Sequence, residues 1–117
     1  MNNKELGQIG ENIAIDYLLK QGLQLKEQNF RCPLGEIDII LTDKKTLVFC
    51  EVKTRADLEF GNPMDFITKH KLSRIERVGT YYMMMNNIAQ WECRIDAVGI
   101  HFENHLPKIR WIKNCTF

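Results

Sequence analysis

The chain has 117 residues, 44% of them hydrophobic and 26% charged, with a formal net charge of +1. That length suits one domain with a core of its own. The near-neutral charge excludes a global field that would draw the protein to nucleic acid or membrane, so attraction to a polyanion has to come from a local patch.

The start, "MNNKELGQIGEN", is polar and does not read as a secretory leader. No run approaches the roughly 20 apolar residues of a membrane span. A cytoplasmic protein with no membrane partner is expected. Cys32, Cys50, Cys93 and Cys115 form no CxxC, which predicts reduced thiols rather than disulfides or zinc ligands.

From about Lys4 to Gln21, Leu6, Ile9, Ile13, Tyr17 and Leu18 recur at helical spacing, and Gly22 is a natural stop. Leu23, Leu25 and Phe30 mark a short edge strand that "CPLG" breaks. Ile37 to Leu41 and Leu47 to Val52 read as strands around "DKKT", and residues 54 to 63 look like a loop. Thr68 is placed to cap a helix running to about Met85, with Ile67, Leu72, Ile75, Val78 and Tyr82 toward the core. "ECRIDAVGI" alternates as another strand, and "KIRWIKN" is a last, weaker one. Strands and helices in this order predict an α/β domain, a sheet packed by helices.

The hairpin around "DKKT" carries the chemistry. Whether its loop is Lys44–Lys45 or Asp43 to Thr46, paired positions add up to 89. Asp38 then faces Glu51, and Glu36 faces Lys53. Side chains alternate across a strand. Ile37, Ile39, Leu41, Val48, Cys50 and Val52 should therefore share an apolar face. The other face carries Ile40, Leu47 and Phe49 near the turn and the charged group at the open end.

Two carboxylates opposed on one face destabilise a sheet, the more so when partly desolvated. A shared proton, a cationic side chain or a metal ion would relieve them. Mg²⁺, or Mn²⁺ in its place, suits hard oxygen ligands and needs only one or two carboxylates, with water and phosphate completing its shell. Lys53, beside such an ion, could position water or stabilise charge on a phosphorane-like transition state. The plainer reading has Lys53 pairing with Glu36 and Glu51 on a solvated sheet end.

Other charged residues divide in the same way. Glu11 lies between Ile9 and Ile13, where simple exposure is the default; a site role needs its helix to pass over the charged end of the hairpin. "KHKLSRIER" puts Lys69, His70, Lys71, Arg74 and Arg77 close together. Such a run is often a solvated face, but Lys71, Arg74 and Arg77 share roughly one side of a helix and suit phosphate contacts. Arg55 could touch phosphate or pair with Asp57. Asp96, between Ile95 and Ala97, is expected to be held by Arg94, a lysine or backbone donors, with no catalytic part.

"GEIDII…LVFCEVKTR" resembles the YraN-like family, whose members are predicted endonucleases of the PD-(D/E)xK (restriction-endonuclease-like) superfamily. "GQIGENIAIDYLLKQG" is similar to that family's opening helix, "FGNPMDFITKHKLSRI" to its loop and basic helix, "RIDAVGI" to its late strand and "IKNCTF" to its close. Ile37 stands where the superfamily's name has proline. The resemblance implies an αβββαβ core with a mixed sheet. It makes Asp38 the first motif acid and Glu51 and Lys53 the E-x-K, with Glu11 as a further acid and Lys71 as a family lysine. It implies a Mg²⁺-dependent nuclease acting on DNA, with branched repair or recombination intermediates among the candidate substrates; a junction cutter would need two active sites, which a homodimer would supply. The alternative is a non-catalytic nucleic-acid-binding or scaffolding module that keeps the fold.

Overall fold

A computed structural model describes residues 1–59 and 61–115. Phe60 of the expected loop and the last two residues of "IKNCTF" lie outside the described residues. Helix α1 (Asn3–Lys20) starts on Asn2, whose side chain accepts from the Glu5 N–H at 2.8 Å. Strands β1 (Gln24–Cys32), β2 (Gly35–Asp43) and β3 (Thr46–Arg55) follow. A short 3₁₀ turn (Pro63–Phe66) leads to α2 (Lys69–Met85), then β4 (Cys93–Glu103) and β5 (Leu106–Ile112). Thr68 caps α2 as expected, accepting from the Lys71 N–H at 3.2 Å.

The sheet order is β1-β2-β3-β4-β5. Only β3 and β4 are parallel, and α2 lies in the crossover between them. The elements through β4 follow the αβββαβ order, with β5 added at the edge. Among the described residues no helix is long and apolar enough to cross a membrane. The four cysteines are free.

Each helix covers one side of the sheet. Leu72, Ile75, Val78, Tyr82 and Met83 of α2 pack with Ile37, Ile40, Leu47 and Phe49. Ala14, Ile15 and Leu18 of α1 pack with Ile39, Leu41, Val48 and Cys50. The α2 face is the expected one. The α1 face is rotated: Ile9 is exposed, and the buried residues are Gly10, Ala14, Ile15 and Leu18. The cause is close packing, because a Cβ on Gly10 would overlap the Thr54 hydroxyl. Gly10 thus brings α1 onto β3, although glycine costs a helix interior about 1 kcal/mol relative to alanine.

Several boundaries differ from expectation, among them that β4 runs on to Glu103 and β5 begins at Leu106. Thr54 and Arg55 belong to β3 rather than a loop, because they pair with Ile100 and His101 of β4. β5 ends at Ile112, and Asn114 instead donates its N–H to the Asp96 carboxylate at 2.9 Å. Asp96 is fully buried and is held, as expected, by Arg94 and a backbone donor.

Candidate active site

The hairpin pairs Asp43 with Thr46, Thr42 with Leu47, Leu41 with Val48, Ile40 with Phe49 and Ile39 with Cys50. Every pair adds to 89, as the turn required. The backbone pairing ends there. Asp38 Oδ2 accepts from the Val52 N–H at 2.8 Å, replacing the backbone partner that a continued ladder would supply. The β1–β2 pairing is interrupted at the same place, between Gln28↔Ile39 and Phe30↔Ile37, where Asn29 has φ +51°. Alternation breaks with it: Ile37 joins the core under α2 rather than lying with Ile39 and Leu41 under α1. The expected apolar face is corrected at that residue.

Asp38 and Glu51 meet where the ladder opens. Burial pushes the Glu51 carboxyl up to about 9, helped by its hydrogen bond to Asp38 and that group's charge, while Lys71 and Arg74 pull it down. Without a bound cation, the buried pair thus favours holding one proton between the two carboxyls. β3 pairs without interruption from Leu47↔Cys93 to Arg55↔His101, so strand alternation directs Lys53 to the same side as Glu51, while its side chain also lines the cleft that Glu11 faces. Val52 lies on the other side, against the α1 core.

Lys53 forms no ion pair among the described residues. Glu36 pairs instead with Arg31, at 3.1 Å. The solvated Lys53–Glu36–Glu51 cluster of the plainer reading is therefore not what forms. Glu11 does reach the site. Partial burial lifts its carboxyl to about 7, together with the charge of Asp38, against a hydrogen bond from Asn29.

The basic helix divides. Lys71 and Arg74 are close enough to act on the Glu51 charge. The Lys71 ammonium also lies 5.1 Å over the Phe66 ring. Lys69 is exposed in the first turn of α2. Arg77 is exposed further along, beside Leu34, Tyr81 and Met84, and is not brought to the carboxylates. Arg55 joins Glu11, Lys53 and Thr54 around a cleft of about 350 Å³ on the α1 side. Its Nε is buried with no hydrogen-bond partner among the described residues. Asp57 does not supply one: it accepts from the Glu59 N–H at 2.8 Å.

Among the described residues no group of three or more His, Cys, Asp or Glu is disposed to hold a metal. Mg²⁺ needs fewer protein ligands than that, and two neighbouring carboxyls that favour a shared proton in the ion's absence are a donor set that fits it. Sequence reasoning missed Asn29 and Gly10. Each left a signal: asparagine tolerates the left-handed backbone, and glycine inside a helix marks a close approach.

The shared proton gives a stability prediction. A carboxyl raised in the fold contributes stability that is complete below its ordinary value near 4.5 and is lost as pH rises through about 9. Glu51→Gln stays neutral and can still donate to Asp38. In EDTA it should be more stable than wild type by about 1–3 kcal/mol near pH 8, the scale of one buried conflict, with the gap closing toward pH ~5. Asp38→Asn keeps an acceptor for the Val52 N–H and should behave similarly. Saturating Mg²⁺ should favour wild type over both variants, because an ion bound only by the folded state raises its stability. Thermal melts across this range are the test. A Glu51→Gln protein less stable than wild type near pH 8 in EDTA would mean that the carboxylates do not conflict.

The model of the family described as "Uncharacterised protein family UPF0102" matches residues 10–100. That span contains every candidate site residue named above. The chain is 42% identical to a UPF0102 protein of Caldicellulosiruptor bescii, covering 97% of this chain and 98% of that one. It is 37% identical to one from Caldanaerobacter subterraneus subsp. tengcongensis, with 97% and 96% covered. To a UPF0102 protein of Nocardioides sp. it is 43% identical over 81% of this chain and 77% of the relative. These names state no activity.

Proposed function

The chain belongs to the uncharacterised protein family UPF0102, and we propose that it is a Mg²⁺-dependent nuclease of the PD-(D/E)xK kind that hydrolyses phosphodiester bonds in DNA. One observation carries the reading: the Asp38–Glu51 carboxylate pair at the opened ladder, with Lys53 two residues beyond Glu51 on β3. A purely structural sheet end has no need for such a conflict.

Asp38 and Glu51 would hold the ion, with Glu11 near enough to tune or extend the set. When bound, it would polarise a phosphoryl oxygen and lower the pKa of water. The Lys53 ammonium orients the attacking water and offsets the charge that grows on the phosphoryl group. Lys71 and Arg74 hold the phosphate backbone on the α2 side, while Arg55 offers a guanidinium on the α1 side.

A cleavage panel of linear and branched DNAs, with Mg²⁺ or Mn²⁺ and with EDTA, tests the reading. Ion-dependent scission is the expected result. No cleavage of any substrate, together with no divalent-ion binding, would leave a nucleic-acid scaffold that retains the fold.

Binding should depend on salt through α2. Each phosphate neutralised contributes about 0.9 to the slope of log affinity against log salt. Replacing Lys71 and Arg74 by alanine should flatten that slope by about two, and adding Arg77→Ala should flatten it by about one more where the backbone runs on along α2. An unchanged slope would make the helix a solvated face and move the phosphate contacts elsewhere.

A further inference from the structure

At the other end of the hairpin lies a second feature that this site does not use. A groove of about 1080 Å³ opens between the start of β1, the β2–β3 turn and the segment after α2. Lys26, Lys44 and Lys45 line it with Tyr82 and Trp91, against the single acid Glu92. Trp91 keeps 37% of its surface exposed.

Two backbone irregularities deliver the charge. The β1–β2 register shifts between Leu25 and Glu27, which leaves Lys26 as the extra residue of a bulge. Bulges re-aim side chains, and the Lys26 ammonium lies 5.5 Å over the Trp91 ring. In the turn, Lys44 has φ +57°. Glycine or asparagine takes that conformation most readily, and lysine takes it at a cost. A lysine there spends local stability to place an exposed cation at the mouth of the groove.

We propose that this groove holds a single-stranded segment of nucleic acid, one base stacking on Trp91 and displacing the Lys26 ammonium from the ring onto a flanking phosphate, with Lys44 and Lys45 on the other phosphates. Aromatic faces within a cationic groove are how single strands are held without sequence readout. The proposal rests on the nuclease reading for its choice of polyanion and extends it to a second contact. Thr42 lines the groove on the strand that carries Asp38, about 13 Å away at about 3.3 Å per residue. Even at the stacked duplex spacing of roughly 3.4 Å, about four nucleotides cover that distance, and an extended single strand needs fewer. A strand leaving the cleavage site can therefore reach Trp91.

The test is anisotropy of labelled dT12 in EDTA, where no cleavage intervenes, with the full chain and its variants. Trp91→Leu should bind about 5- to 150-fold more weakly, the effect of losing one stacked base. Lys44→Gly should bind several-fold more weakly yet melt no lower than wild type, since glycine accepts the turn conformation. Unlabelled dTMP should compete far less well than unlabelled dT12. Any of three results overturns the proposal: Trp91→Leu binding dT12 within two-fold of wild type; Lys44→Gly binding dT12 as wild type does; or dTMP competing as well as dT12, which would make this a mononucleotide site. The nuclease reading is tested separately. Lys53-dependent cleavage retained by a Trp91→Leu protein that binds normally would sink the groove alone. Trp91-dependent binding without Lys53-dependent cleavage would support the groove alone.

Discussion

Lys53→Ala should lower DNA cleavage by at least about 10²- to 10³-fold, the usual loss when a group that stabilises transition-state charge is removed, while DNA affinity stays within a few-fold. Position separates the two effects. Lys53 follows Glu51 on β3 with one residue between them, which by strand alternation gives the two the same side. The α2 cations are carried by a different element. Kinetically, kcat and kcat/KM should fall together, because the contact is made in the transition state and not in the ground state. Glu51 offers a cross-check. If Lys53 were merely a counter-ion, its removal would lift the Glu51 carboxyl further and change the pH dependence of stability more than the rate. A Lys53→Ala enzyme that cleaves like wild type would remove Lys53 from the chemistry.

How much of this site was legible in the sequence depended on the constraint each residue obeys. The hairpin register was legible because a short turn and a period of two leave one solution; pairs adding to 89 run from Asp43 to Ile39. The end of that ladder was not legible. It depends on Asp38 capturing the Val52 N–H and on Asn29 taking a left-handed backbone across the next strand, neither of which alters hydrophobic periodicity. The α2 face was plain from large apolar residues. The α1 face was misread because its contact is made by Gly10 and Ala14, which carry little hydrophobic signal. Thr54 and Arg55 read as loop because their partner strand lies beyond α2 in sequence, and a parallel partner leaves no local mark. The role of Lys71 and Arg74 beside Glu51, with Arg77 apart, needed the orientation of the helix over the opened hairpin.

Asp96→Ala should destabilise the fold by about 3–5 kcal/mol, the cost of removing one partner of a buried, hydrogen-bonded charge pair. Asp96 has no exposed surface. Its carboxylate accepts from Arg94 Nε at 2.9 Å and Nη2 at 3.2 Å, from Trp111 Nε1 at 3.0 Å and from the Asn114 N–H at 2.9 Å. Alanine strands all of these donors. Arg94 keeps only Asp43, at 3.0 Å, on a side chain 17% exposed. Asp96→Asn should cost less than alanine but still more than about 1 kcal/mol, because its amide would face the guanidinium with a donor where an acceptor is needed. Arg31→Ala is the internal control. It breaks an ion pair whose side chains are 77% and 58% exposed, and exposed pairs contribute about 0–1 kcal/mol. The position of Asp96 matters to the site as well. It pairs with Cys50, and the next pair along is Glu51 with Ala97. Loosening β4 at Asp96 therefore loosens the strand that carries Glu51 and Lys53. Denaturant melts of the three variants are the measurement. Asp96→Ala and Arg31→Ala proteins of equal stability would mean that the buried cluster does not hold β4 and β5 together.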